Sequence, residues 1–251
     1  MVINSVEIKP GQSRQLSLII SKLPTRTPID IPVHIFRAKK PGPSLLLMAG
    51  MHGDEINGVE IIRQMISKKM LKPECGSVVA VPLLNIYGFI NFSRQVPDGK
   101  DVNRSFPGSK TGSLAGRVAH SFMTEIFPQI DFGVDFHTGG GSISNYPQLR
   151  CRLDEPKNRE LASAFAPRFI IDSAIRSKSL RGEAAKRGKS ILVYEAGEAL
   201  RLNTAPVQAG IEGTIRLMHY LGMRSDSAPP KQTPIIIKKS SWVRARYAGM
   251  F

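Results

Sequence analysis

The stretch MAGMHGDEING contains a histidine and a glutamate with the spacing of metal ligands, His52 and Glu55. Imidazole nitrogen and carboxylate oxygen are good zinc ligands, and catalytic zinc usually has three protein ligands and one open position. The pair follows the apolar run SLLLM, so a turn from a strand into a helix would let both side chains face one point. Because the chain has five histidines and eleven glutamates, the spacing alone also fits a turn histidine beside a solvated or capping glutamate.

Two further apolar runs end in residues of related chemistry. His137 follows FGVDF and precedes three glycines, which makes it a candidate third ligand. Asp135 either orients a ligand histidine or makes a structural hydrogen bond. Glu195, at the end of the run in SILVYEAGE, is placed to take a proton from an attacking water and pass it to a leaving nitrogen. Glu198 is the competing candidate, ranked second because it lies beyond the strand and Gly197.

The stretch SRQVPDGKDVNRSFPG supplies two arginines and an asparagine in a loop broken by glycine and proline. Arg94, Asn103 and Arg104 are the candidates there. Arginine pairs bidentately with carboxylates and stabilises a developing oxyanion. By composition alone the same stretch also fits a solvated loop.

The elements that must position these residues alternate between apolar runs and amphipathic stretches. This alternation predicts an α/β domain with a largely parallel or mixed sheet. Several runs are continuously apolar, as strands buried on both faces are. The predicted strands are 15–20, 31–36, 44–49, 77–83, 132–136 and 190–196, and the predicted helices are 56–69, 113–127 and 205–221.

The composition of the chain changes after Gly222. MRSDSAPPKQTP has the composition of a linker, and the residues after it resemble one or two strands. These strands either dock on the main domain or begin a second one. We therefore predict a catalytic domain at 1–222, followed at 223–251 by a linker and the start of an incomplete C-terminal β-rich domain.

The composition excludes some classes of partner but does not identify one. The chain carries 35 Lys and Arg against 20 Asp and Glu, a net charge of +15. No basic helix interleaved with aromatics and no zinc-finger spacing accompanies this charge, so no specific nucleic-acid partner is predicted. A solvated basic surface, attraction of anionic substrates or incidental polyanion binding each fits the charge. Two distant cysteines, no leader sequence and no run near 18 apolar residues favour a cytoplasmic protein without a membrane partner.

Four stretches together resemble the succinylglutamate desuccinylase/aspartoacylase family of the zinc carboxypeptidase-like clan. They occur in the same order as in that family: GMHGDEING, SRQVPDGKDVNRSFPG, DFHTGG and YEAGE. The resemblance spans roughly residues 44–200. It implies a mixed, largely parallel sheet flanked by helices, with a truncated C-terminal β segment. An exposed strand edge in that segment would favour a homo-oligomer.

The resemblance also implies roles for the candidate residues. One zinc ion per chain would be bound by His52, Glu55 and His137. Glu195 would act as general base and acid, and Arg94 would polarise the scissile carbonyl. A further pair, Asn103 and Arg104, would hold the carboxylate of the substrate.

The function expected from this resemblance is a zinc-dependent amidohydrolase that acts on non-peptide C–N bonds in linear amides. Its substrate would be a small anionic N-acyl amino acid. A zinc carboxypeptidase acting on peptides uses the same metal and arginine set and is the close alternative. Two further alternatives are a truncated zinc-binding homologue with little activity and a non-enzymatic polyanion-binding protein. The last of these would leave the ordered set of candidate ligands unexplained.

Overall fold

The computed structural model describes residues 1–22, 25–141, 143–230, 232–241, 243–247 and 249. The strands are β1 (Val2–Ile3), β2 (Val6–Glu7), β3 (Ser13–Lys22), β4 (Pro28–Arg37), β5 (Lys40–Ala49), β6 (Cys75–Val81), β7 (Phe132–Gly139), β8 (Asn145–Cys151), β9 (Phe169–Asp172), β10 (Ser190–Glu198) and β11 (Ile235–Ile237). The helices are α1 (Ile56–Ser67), α2 (Ile86–Ile90), α3 (Leu114–Ser121), α4 (Pro156–Phe165), α5 (Leu180–Lys186) and α6 (Thr204–Tyr220).

The longer strands form one mixed sheet. Its order is β11-β9-β8-β10-β7-β5-β6-β4-β3, while β1 and β2 pair separately. The centre, β6-β5-β7-β10, is parallel throughout. On one side of this centre, β8 pairs antiparallel with β10, and β8, β9 and β11 run parallel to one another. On the other side, β4 pairs antiparallel with β6, and β3 pairs antiparallel with β4. This architecture confirms the predicted mixed, largely parallel sheet flanked by helices.

Strand β5 shows why the central runs are continuously apolar. Leu45, Leu47 and Ala49 belong to a core that also contains residues of α1, α4 and α6. Leu46 and Met48, on the opposite face, belong to a second core with residues of α3 and α5. Helices therefore cover both faces of the sheet, and each buried aliphatic side chain contributes about 1.5–3 kcal/mol. The carboxyl end of β5 is fixed between the two cores.

All the predicted strands and helices are present, with somewhat different bounds. The predicted helix 113–127 ends as α3 at Ser121 and continues as a π turn through Phe122–Ile126. Sequence patterns missed β8, β9, α4 and α5. Strand β8, NYPQLRC, interrupts its apolar pattern with a proline and polar residues. Strand β9 has only four residues, too few to show a period.

The segment after Gly222 contacts the main sheet at one described strand. Strand β11 pairs in parallel with β9, and the backbone N–H of Ile235 donates to the carbonyl of Arg168 at 2.9 Å. The domain division at 222/223 stays a prediction, and residues 231, 242, 248, 250 and 251 lie outside the described residues. Among the helices of the described ranges, none has the length and apolarity needed to cross a bilayer.

Candidate metal centre and active site

Three neighbouring parallel strands bring the predicted site residues to one edge of the sheet. His52 and Glu55 lie on the turn between β5 and α1, and His137 lies near the end of β7. Glu195 on β10 is the register partner of His137. Because parallel strands end at a common edge, residues up to 143 positions apart in sequence share one site.

Glycine permits the close packing of this turn. A Cβ on Gly53 would lie 1.9 Å from the backbone carbonyl carbon of Gly88, in the middle of α2. That contact holds the β5–α1 turn against the segment that leads to Arg94 and Asp101. The arginine loop is thereby brought beside the metal-ligand candidates.

The three candidate ligands form a compact buried cluster. His52 Nδ1 lies 2.7 Å from one Glu55 oxygen, and His137 Nδ1 lies 2.8 Å from the other. One ligand atom from each residue falls within 4.8 Å of the others. The side chains of His52, Glu55 and His137 are only 3%, 2% and 5% exposed. This is a donor set of the type that zinc takes, drawn together at one point.

Each histidine is held on its other nitrogen by an aspartate. His137 Nε2 lies 2.9 Å from Asp135 Oδ2, and His52 Nε2 lies 3.2 Å from Asp101 Oδ1. An ionised aspartate only accepts hydrogen bonds, so the proton sits on Nε2 and Nδ1 is directed toward Glu55. Both imidazoles are thus oriented to present Nδ1 to a common cation, and the residues present fit a zinc ion.

In the cluster, the carboxylates and the imidazoles each stabilise the charged form of the other. Burial opposes ionisation of Glu55, but the imidazoles of His137 and His52 outweigh it and hold its pKa well below the usual value. Burial likewise opposes protonation of His137, yet Asp135 and Glu55 raise its pKa well above the usual value. The pKa of His52 is raised in the same way, with Glu55 and Asp101 overcoming burial. A divalent cation at this point would replace the protons on the two Nδ1 atoms.

Arg94 reaches the cluster from the arginine loop. Its Nη1 donates to Glu55 Oε1 at 3.2 Å, and its Nη2 donates to Asp101 Oδ2 at 3.1 Å. The side chain is 39% exposed and lines the cavity beside the cluster. Asp101, which the sequence analysis did not single out, therefore contacts both a candidate ligand and this arginine.

Glu195 faces the same cavity, whereas Glu198 does not line it. Asn145 Nδ2 donates to Glu195 Oε2 at 2.9 Å, which leaves the other carboxylate oxygen for a ligand. Burial raises the pKa of Glu195 above its usual value. Glu198 instead lies 3.6 Å from the exposed Arg201. Of the two candidates, only Glu195 lines the cavity.

The cavity beside the cluster has a volume of about 390 Å³. Asn103 and Arg104 line it, as the sequence analysis expects of substrate-binding residues. The Oδ1 of Asn103 accepts the backbone N–H of Leu180 at 3.1 Å, which ties the arginine loop to α5.

Three arginines that the sequence analysis did not identify also line the cavity: Arg150, Arg176 and Arg181. Like Arg104, none of them forms a salt bridge within the described part of the chain. Burial lowers the pKa of Arg181, and nearby Arg150 and Arg176 lower it further. Guanidinium Nη1 of Arg181 and Nε of Arg150 are buried without a hydrogen-bond partner there. The cavity therefore holds four arginines that form no salt bridge in the described part of the chain.

The chain is similar in sequence to known proteins. The profile of the succinylglutamate desuccinylase/aspartoacylase catalytic domain matches residues 41–221. The N-alpha-acetyl-L-2,4-diaminobutyric acid deacetylase of Halomonas elongata is 28% identical over 236 residues, covering 88% of this chain and 68% of that enzyme.

Solved structures share the fold. A succinylglutamate desuccinylase/aspartoacylase from Rhodobacter sphaeroides is 26% identical with a TM-score of 0.77, over 88% of this chain and 68% of its own. The product-bound ectoine utilization protein EutE (DoeB) from Ruegeria pomeroyi is 20% identical with a TM-score of 0.80. That match covers 92% of this chain and 72% of the Ruegeria pomeroyi chain. The zinc carboxypeptidase-like architecture expected from the sequence is therefore confirmed.

Proposed function

The chain belongs to the succinylglutamate desuccinylase/aspartoacylase family, and from that premise we propose that it is a zinc-dependent deacylase of small anionic N-acyl amino acids. The observation that carries the proposal is the buried His52–Glu55–His137 cluster beside an arginine-lined cavity. The named activity of the Halomonas elongata relative, an N-acetyl amino acid deacetylase, supports the same class of reaction.

Zinc would be held by Nδ1 of His52, Nδ1 of His137 and the carboxylate of Glu55. When bound, it supplies a Lewis acid that activates water and polarises the amide carbonyl. Asp101 and Asp135 keep the two imidazoles in the required tautomer.

The remaining chemistry falls to side chains on the cavity wall. Glu195 takes a proton from the attacking water and returns it to the leaving nitrogen, and its raised pKa makes the return easier. Arg94 stabilises negative charge on the acyl oxygen. The side chains of Asn103 and Arg104 hold the α-carboxylate of the amino acid.

Three cavity arginines without a salt bridge in the described part of the chain, Arg150, Arg176 and Arg181, favour a substrate with a second anionic group. Arg150 Nε and Arg181 Nη1 are buried without a hydrogen-bond partner in the described part of the chain, and a carboxylate on the substrate would supply an acceptor. The relative named above is an enzyme of 2,4-diaminobutyric acid, whose side chain carries an amine. We therefore expect N-acetylaspartate or N-acetylglutamate to give a higher kcat/KM here than N-acetyl-diaminobutyrate, by about tenfold or more. A preference for the diamino substrate would contradict this assignment.

Metal analysis combined with a turnover assay tests the function as a whole. The purified chain is expected to hold one zinc ion and to release the acyl group from N-acyl amino acids faster than it releases C-terminal residues from dipeptides. His52→Ala is expected to lose both zinc and activity. Wild-type zinc content in that variant would contradict the metal assignment, and faster release from dipeptides would favour the carboxypeptidase alternative.

A further inference from the structure

Asn57, two residues after Glu55, is a buried polar residue that the proposed mechanism does not use. Its side chain is 1% exposed and lies in the first turn of α1. Its Oδ1 accepts the backbone N–H of Asn203 at 2.8 Å, and its Nδ2 donates to Asn203 Oδ1 at 3.2 Å. The same Nδ2 lies 3.4 Å from the carbonyl of Glu198. Both halves of the amide are therefore bonded to a segment more than 140 residues away in sequence.

The side chain of Asn203 makes this contact and does not cap the helix that begins after it. It is the N-cap residue of α6, where asparagine usually accepts an N–H of the first turn. No such bond forms. Its Oδ1 instead accepts the backbone N–H of Glu198 at 3.1 Å, together with the amide of Asn57.

The end of β10, just beyond Glu195, is irregular where these asparagines meet it. Pairing with β7 stays in register up to Glu195 and shifts before Glu198. Within the shift, Gly197 has φ +80°, and a Cβ there would lie 2.6 Å from both Asn203 Oδ1 and Asn57 Nδ2. Bulges of this kind set the direction of neighbouring side chains. The direction of Glu195 therefore depends on how this bulge is held.

We propose that Asn57 and Asn203 form a clamp that holds the bulged end of β10 against the first turn of α1, and so positions Glu195 opposite the metal ligands. The clamp joins the element that carries Glu55 to the element that carries Glu195. Neither asparagine is among the residues that line the cavity, so both are positioning residues. The proposal rests on the proposed function, in which Glu195 is the base.

Three variants test the clamp. At similar side-chain volume, Asn57→Leu removes the bonds that the Asn57 amide makes, and Asn203→Leu removes those that Asn203 Oδ1 accepts. Asn203→Asp keeps it, because the described contacts use only an acceptor oxygen of that side chain. Both leucine variants are expected to lower kcat about tenfold while KM and zinc content stay within about twofold, since a displaced base slows the chemical step alone. The aspartate variant is expected to stay near the wild type.

Thr214→Val separates positioning from general stability. Thr214 is fully buried in α6, and its hydroxyl donates to the carbonyl of Gly210 at 2.8 Å. Losing this bond is expected to lower the melting temperature, as the leucine substitutions do, but to leave kcat of the zinc-loaded enzyme unchanged.

Amide hydrogen exchange gives a readout that does not depend on turnover. The backbone N–H of Glu198 donates to Asn203 Oδ1, and that of Asn203 donates to Asn57 Oδ1. The first is therefore expected to exchange faster in Asn203→Leu, and the second in Asn57→Leu, than either does in Thr214→Val. A zinc-bound wild type that hydrolyses no N-acyl amino acid would refute the proposed function, while exchange rates would still decide whether the clamp exists.

Any of three results would overturn the proposal. These are unchanged exchange in the leucine variants, wild-type kcat in their zinc-loaded forms, and equal losses of kcat in Asn203→Leu and Asn203→Asp.

Discussion

Two aspartates decide which nitrogen each candidate ligand histidine would present to a metal ion. Asp135 lies on the same strand as His137, so its proximity follows from the sequence. Asp101 lies 49 residues from His52, and its position depends on how the arginine loop packs against the β5–α1 turn. Strand ends followed by glycine predicted all three ligand candidates. No local pattern predicted Asp101, because its partner is defined only by the fold.

Replacing Asp101 with alanine is expected to weaken zinc binding about 10- to 100-fold, because His52 loses the acceptor that fixes its tautomer. Competition with a chelator measures this affinity. Asp98→Asn is the matched control, since Asp98 lies in the same loop, is exposed and contacts the backbone of Lys100. Equal effects from the two substitutions would contradict a specific role for Asp101.

Replacing Glu195 with glutamine is expected to lower kcat about 100- to 10,000-fold with zinc retained, because the amide cannot accept the proton. Glu198→Gln provides the comparison, since that side chain lies beside exposed Arg201 instead of the cavity. Steady-state kinetics on zinc-loaded protein measures both. A larger loss in Glu198→Gln would reverse the assignment of the base.

Zinc affinity is expected to keep rising with pH above 7. The carboxylates around His52 and His137 raise the pKa of both imidazoles above the usual 6.5, so their protons compete with zinc at neutral pH. As pH rises through these raised values, the protons leave and the affinity increases. Titrations from pH 6 to 9 against a buffered zinc series measure this, and an affinity that is already constant above pH 6.5 would contradict it.

At the scale of elements, the sequence predicted the central strands with α1, α3 and α6, but it missed β8 and α5, which supply arginines to the cavity. Strand β5 alternates its side chains between two cores, and its apolar run is easily recognised. Strand β8 carries Arg150 and the start of α5 carries Arg181, both of which line the cavity. Polar residues directed into a cavity break the apolar periods on which such predictions depend.

The contact between the β5–α1 turn and α2 is expected to tolerate no side chain. Gly53→Ala would place a Cβ against the backbone of Gly88, which cannot move without displacing the arginine loop. We expect a loss of about 1–3 kcal/mol in the free energy of unfolding, together with weaker zinc binding. Gly112→Ala, in an exposed turn with its nearest contact at 3.3 Å, is the control for denaturant unfolding. Equal stability of the two variants would contradict this account.

At the scale of the whole molecule, a net charge of +15 surrounds a cavity lined by five arginines. Attraction of a dianionic substrate is screened by salt, so kcat/KM is expected to fall about fivefold between low and 0.5 M salt. For N-acetyl-diaminobutyrate, whose charges cancel, the change is expected to be small. Assays with both substrates at increasing salt measure the difference, and parallel curves would contradict electrostatic attraction.

The burial of the ligand cluster has a consequence for the kinetics of metal exchange. Its three side chains are almost enclosed, and they face the cavity that a substrate would fill. The ion and the substrate would then share one passage to solvent. A resident product would delay loss of the ion, so exchange would be slowest during turnover and fastest in the resting enzyme.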